Sequence, residues 1–188
     1  IEWNHPSMPW DATTLKTAVL DARGMPGKAT IVAGGDRAVL EPQWGRDGTL
    51  YYIDEPSGWW NLYATRDGKA RALAPMAREF GGALWTLGNQ SYVVADGGQV
   101  YARSSRDAVD ELARIDVKDG DYRRIDAPFV NFGDVSLDRH GRLIAIASAA
   151  TDEPVLVAID PQDGQVQRLH QASTSRIPAS LVSLGQPI

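Results

Sequence analysis

The sequence predicts an all-β chain, a partial β-propeller of about three and a half four-stranded antiparallel blades, and three observations lead there. A segment ending in an Asp-Gly turn recurs as LYATRDGKARAL (62–73), ARIDVKDGDYRRI (113–125) and VAIDPQDGQVQRL (157–169), with a looser copy, AVLDARGMPGKATIV, at 18–32. A second landmark precedes each copy: QWGRDGTLYYI (43–53), LWTLGNQSYVV (84–94) and SLDRHGRLIAI (136–146). Each landmark reads as strand, Gly-containing turn, strand, so a pair supplies the four strands of one blade. The turn glycines Gly68, Gly120 and Gly164 set a period of roughly 40 to 50 residues, the repeat length of propeller blades.

Taken in order, residues 1–35 form most of a first blade, and full blades follow at 38–75, 78–128 and 130–173. Hairpin turns are expected at Asp47-Gly48, Asp67-Gly68, Asp119-Gly120, Gly141 and Asp163-Gly164, because tight hairpins need a residue that accepts positive φ. The runs 50–53 and 143–147 lack polar alternation, which predicts inner strands covered on both faces. After residue 173 the pattern stops; residues 174–188, with Pro178 and Pro187, read as an exit linker. Rings close with 4 to 8 blades. The first unit starts in mid-blade and at Ile1 rather than Met, so the expectation is a piece of a longer chain. Its open blade edges offer a route to self-association with another copy.

Composition excludes several function classes. Hydrophobic residues make up 43% and charged residues 23%, with 18 Gly and 11 Pro, which suits a folded chain rich in turns. The net charge of −5 and the absence of any Lys/Arg run argue against a nucleic-acid or anionic-membrane partner. No apolar stretch is long enough for a membrane-spanning helix and no signal peptide is visible. The chain has no cysteine, which fits a cytoplasmic setting and removes thiolate chemistry. With three histidines, zinc has almost no candidate ligands, and DVKDGD (116–121) and DPQDGQ (160–165) fail the calcium-loop frame at Lys118 and Gln162. No metal or other cofactor is implied; these Asp residues are turn formers.

Four strings carry a family resemblance: WNHPSMPWDATTL (3–15), SGWWNLY (57–63), REFGGALWTLG (78–88) and the exit SLGQPI (183–188). In this order they resemble the propeller of prolyl oligopeptidase family serine peptidases, most of all the dipeptidyl aminopeptidase or acylaminoacyl-peptidase-like branch. The resemblance implies that the chain is the later part of a propeller whose exit linker enters an α/β-hydrolase domain of the same parent chain. It further implies that the propeller gates the active site and admits short peptide substrates. The chain itself holds no catalytic residues: no serine lies in a G-x-S-x-G elbow, and His140 and His170 sit at a turn and a strand end. An accessory propeller of the TolB type, working through protein–protein interaction, is the alternative, and a propeller-borne metal lactonase is a distant third for want of acidic clusters.

Six residues are candidates for binding substrate: Glu79, Trp59, Trp60, Asn4, His5 and Trp10. Trp59 and Trp60 lie between two strands, and Trp10 with Trp3 flanks the Asn4-His5-Pro6 stretch. Such aromatics either wedge blades together or line a substrate-facing rim. Glu79 adjoins Gly81-Gly82. Its carboxylate either receives a peptide's free α-ammonium or serves the loop, solvated or paired with Arg78. His5, with Asn4 and Asp11 near in sequence, is either a structural hydrogen-bonding residue or part of the rim.

Overall fold

A computed structural model describes residues 1–86, 88–171, 173 and 181–183. The expected exit linker, 174–188, therefore lies outside the described residues except at 181–183. Among the described residues there is no α-helix, and the chain divides into two compact units, Ile1–Asn89 and Gln90–Ile188.

In the first unit, β1 (Thr14–Thr17) and β2 (Thr30–Gly34) pair antiparallel, and Glu2 bridges to Thr14 on the other side of β1. A four-stranded meander follows: β3 (Val39–Trp44), β4 (Leu50–Asp54), β5 (Asn61–Arg66) and β6 (Lys69–Ala72). Every residue of β4 is buried, as its unbroken apolar run predicts. The β3–β4 turn closes through Asp47, whose Oδ1 accepts the Thr49 N–H (3.1 Å). At the β5–β6 turn Asp67 and Gly68 both take left-handed conformations (φ 50° and 73°), the two-residue geometry that matches strand twist. Register slips in β3 between Leu40 and Gln43, where Glu41 has φ 50° and Pro42 offers no N–H to a ladder, so the strand bulges. Leu15, Val39, Leu50 and Tyr52 form the core between the two sheets. Tyr52 stacks on its cross-strand partner Tyr63 with ring centroids 5.9 Å apart. Buried Thr13 pins the sheets: its Oγ1 donates to the Val39 carbonyl (2.8 Å) and accepts the Val39 N–H (2.6 Å).

The second unit holds two meanders. One is β7 (Tyr92–Ala95), β8 (Gln99–Arg106), β9 (Val109–Asp116) and β10 (Tyr122–Ile125); the other runs β13 (Leu143–Ser148), β14 (Val155–Ile159), β15 (Val166–Gln171). The first position of that second sheet is split into β11 (Asn131–Phe132) and β12 (Ser136–Leu137), both paired with β13. The two sheets pack through Leu112, Ile125, Phe129, Phe132, Leu143 and Val157, with Phe129 edge-on to Phe132. Each such buried side chain contributes about 1.5 to 3 kcal/mol. Two hydrogen bonds also tie the sheets: Val135 N–H donates to the Gln90 carbonyl (2.8 Å), and Gln90 N–H to Asp134 Oδ1 (2.9 Å).

All five expected hairpin turns are present. Two expectations fail. The string LWTLGNQSYVV is no hairpin: residues 81–86 lie in no strand, and the pairing of β7 with β8 turns instead at Asp96-Gly97-Gly98. After β6 the chain has to travel to the next sheet, and 73–91 is that connection, so Leu84 and Trp85 have no strand opposite them. The second failure is β13, which is not covered on both faces. Leu143, Ala145 and Ala147 face the β7–β10 sheet, whereas Ile146 is 57% exposed.

A candidate substrate-binding rim

The meander of the first unit fixes which loops share an end. Strand β5 begins where the 55–60 loop ends, and β6, antiparallel to it, delivers residues 73–86 back to that same end. The Trp59-Trp60 loop and the Glu79 segment therefore meet, and buried Asn61 fastens them. Its Oδ1 accepts the Met76 N–H (2.7 Å), and its Nδ2 donates to the carbonyls of Met76 (3.0 Å) and Arg78 (3.2 Å). An amide carries both donors and acceptors, so one side chain satisfies both polarities of a strandless segment.

Glu79 is part of this latch. Its Oε2 accepts the Trp60 backbone N–H at 2.7 Å, and the Phe80 N–H donates back to the Trp60 carbonyl at 2.7 Å. The carboxylate is half-buried, and among the described residues its other oxygen, Oε1, has no hydrogen bond. One carboxylate oxygen thus serves the loop. Phe80 is buried, and Gly81 packs so tightly that a Cβ there would lie 3.2 Å from both Ile53 and Leu40. These two residues seat Glu79 on the blade core.

The two tryptophans differ. Trp59 is 36% exposed, while Trp60 is half-buried with its indole Nε1 enclosed and unpartnered among the described residues. Trp10 packs against Trp85, ring centroids 4.3 Å apart and tilted by 47°. Trp85 is 77% exposed. Asn4 and His5 are exposed, and Asp11 Oδ2 accepts the Met8 N–H (2.8 Å).

A second charged feature lies beside β4. Asp54, buried, takes a two-point contact from Arg37: Nε to Oδ1 at 2.6 Å and Nη2 to Oδ2 at 3.0 Å. Hydrogen bonding to Asp54 pushes the Arg37 pKa up further, so the guanidinium is permanently charged and its carboxylate partner is committed. Burial raises the Tyr52 phenol to about 12, which leaves it a neutral hydroxyl. The turn aspartates behave as turn formers: Asp116 Oδ1 accepts the Lys118 N–H and Asp160 Oδ1 the Gln162 N–H, both at 2.8 Å. Among the described residues, no group of three or more His, Asp or Glu side chains is placed to hold a metal ion.

Asn61 and Trp85 were not singled out by the sequence reading. Asn61 stood inside SGWWNLY as the lone polar residue at the start of an apolar strand, which was the available signal. Trp85 gave none, since its string read as a packed strand.

No protein-family model and no curated protein matches the chain. Solved structures do. A Mycobacterium tuberculosis puromycin-hydrolyzing peptidase is 27% identical with a TM-score of 0.89, over 97% of this chain and 28% of that one. A puromycin hydrolase is 25% identical with a TM-score of 0.85, over 95% of this chain and 27% of its own. TolB from Acinetobacter baumannii shares the fold alone, at 17% identity and a TM-score of 0.63. The chain thus spans about 28% of the length of the peptidase structures it matches. The chain has a β-propeller fold and is similar over nearly its whole length to part of these peptidases, in line with the resemblance carried by the strings WNHPSMPWD and SGWWNLY.

Proposed function

We propose that this propeller covers the active site of a serine peptidase, admits short peptides while excluding folded proteins, and presents Glu79 to the substrate's free α-ammonium. The bond-making groups belong to an α/β-hydrolase domain of the same parent chain, where a serine attacks, a histidine acts as base and an acid orients it. Glu79 carries the proposal. One of its oxygens is anchored on the Trp60 amide and the other has no partner among the described residues, so the carboxylate is held in place before an ammonium arrives. A charge-assisted bond made by a preorganised acceptor loses little entropy on binding. Trp59, exposed on the adjoining 55–60 loop, offers an apolar surface to the neighbouring substrate side chain.

The test is Glu79→Gln in the full-length protein. Glutamine keeps an oxygen for the Trp60 N–H and loses only the charge. Removing one partner of a desolvated pair costs on the order of 2 to 4 kcal/mol. The kcat/KM for peptides with a free amino terminus should therefore fall about ten-fold or more, and that for N-acetylated peptides should hold. Equal loss on both would make Glu79 a loop anchor only. No loss on either would remove it from the rim.

A further inference from the structure

In the second unit, Arg114 of β9 lies directly opposite Arg123 of β10, and Tyr101 of β8 lies directly opposite Arg114 on the other side. Cross-strand partners point to one face. Here it is the face that carries Leu112 and Ile125 into the core against the β11–β15 sheet, two residues from Arg114 and Arg123 respectively. At the Asp-Gly end of this face the two sheets stand apart and leave a cleft of about 350 Å³. Both arginines line it together with Arg124, and its opposite wall is the β14–β15 turn with Pro161, Gln162 and Gly164.

Two like charges placed opposite each other cost stability, and the immediate surroundings only partly offset that cost. Arg123 donates from Nε to Asp121 Oδ2 (2.6 Å). Arg114 has a neutral partner, with Nη1 reaching Gln162 Oε1 at 3.4 Å, and among the described residues it makes no ion pair. Asp126 and Asp163 also line the cleft, but Asp163 Oδ1 is occupied by the Gln165 N–H (2.9 Å). Arg124, the next residue, also borders the cleft but alternates to the other face of β10, where it approaches Glu111 (3.9 Å). The wall is rigid: Gly164 (φ 74°) packs so closely on residue 126 that a Cβ would sit 2.0 Å from the Asp126 carbonyl oxygen.

We propose that this cleft is an oxyanion site in which Arg114 and Arg123 together grip a phosphate or carboxylate group. Planar guanidinium forks match two-oxygen anions, and a half-buried Arg114 without a carboxylate of its own is the group that such a ligand completes. The site is independent of the Glu79 rim and does not rest on the peptidase reading.

The experiment is calorimetric titration of the full-length protein with inorganic phosphate at ionic strength held constant with chloride. Saturable one-to-one binding is expected in the wild type. Arg114→Gln and Arg123→Gln should each weaken it ten-fold or more, as loss of a charge-assisted contact does. Arg106→Gln, at the far end of β8 and outside the cleft, should stay within two-fold. Displacement of phosphate by succinate assigns the site to carboxylates as well, and failure to displace restricts it to phosphates. Should Arg114→Gln fail to give the wild-type circular dichroism spectrum, the solvent-exposed Arg123→Gln carries the test. Absence of saturable phosphate binding, or equal affinity in wild type and the folded Arg114 or Arg123 variant, overturns the proposal.

Discussion

Replacing Asn61 by alanine should unlatch the rim without unfolding the blade. Asn61 is only 1% exposed, and its side chain serves one N–H, that of Met76, and two well-placed carbonyls, those of Met76 and Arg78. Alanine leaves these groups without a partner at the end of a packed sheet, and each buried group so stranded costs about 1 to 3 kcal/mol. Water reaches part of the 73–80 segment, so the loss in local opening free energy is about 2 to 3 kcal/mol. At about 1.4 kcal/mol per decade this accelerates exchange about 30- to 150-fold. The reporter is the Phe80 amide, which donates to the Trp60 carbonyl and not to Asn61, and so reads the opening of the latch as a whole. Hydrogen exchange followed by mass spectrometry or NMR should show that acceleration at Phe80. The β4–β5 ladder amides should change far less. A change below three-fold at Phe80, or equal acceleration throughout β4 and β5, would refute the latch.

Arg37→Ala leaves the buried Asp54 carboxylate without its two-point partner and should destabilise the fold by about 2 to 3 kcal/mol, the partial exposure of Arg37 moderating the full buried-pair penalty; chemical denaturation measures it. The Asp138 carboxyl, held down to about 2 chiefly by the Arg142 backbone N–H and then by the Arg142 side chain and the His140 N–H, should titrate with that midpoint by NMR. Because its folded pKa is depressed, its contribution to stability is complete above about pH 4 and is lost as pH falls towards 2, and Asp138→Asn should flatten stability across that window. Gly68→Ala, with open space around the Cβ but φ 73°, should cost about 1 to 2 kcal/mol, whereas Gly164→Ala adds a backbone collision and should cost clearly more; similar losses would refute the close approach at Asp126.

Legibility in the sequence followed the range of the interaction. The five Asp-Gly and Gly turns could be read because their chemistry is complete within four residues. The turn joining β8 to β9 could not, since Asp107 and Ala108 hold φ of 52° and 59° without any glycine to announce it. Gly88 misled for the converse reason: it has positive φ but lies in a connection and not between paired strands. Glu79 and Trp59-Trp60 were found as rim candidates from their residue types, yet their actual link is to backbone atoms. The Asn61 latch spans 15 to 17 residues and ends on carbonyl and amide groups, which every residue carries and no string can single out. Asn4, His5 and Trp10 were grouped by nearness in sequence. The fold sends Trp10 to Trp85 and leaves the other two at the surface.

The meander topology also orders the events by which this chain folds. In the sheets β3–β6 and β7–β10 each strand pairs with its sequence neighbour, so zipping requires closure of loops only a few residues long. Docking is another matter. The Thr13–Val39 contact spans 26 residues and the Gln90–Asp134 contact 44. Closing the longer span costs about 2 kcal/mol more chain entropy than closing a three-residue hairpin. Hairpins should therefore appear first and sheet-on-sheet docking should set the rate, a low-contact-order nucleus followed by a non-local step. On the ribosome that sequence becomes vectorial: the β7–β10 meander can zip as soon as β10 emerges, and it waits with one apolar face open until the β11–β15 sheet has been synthesised.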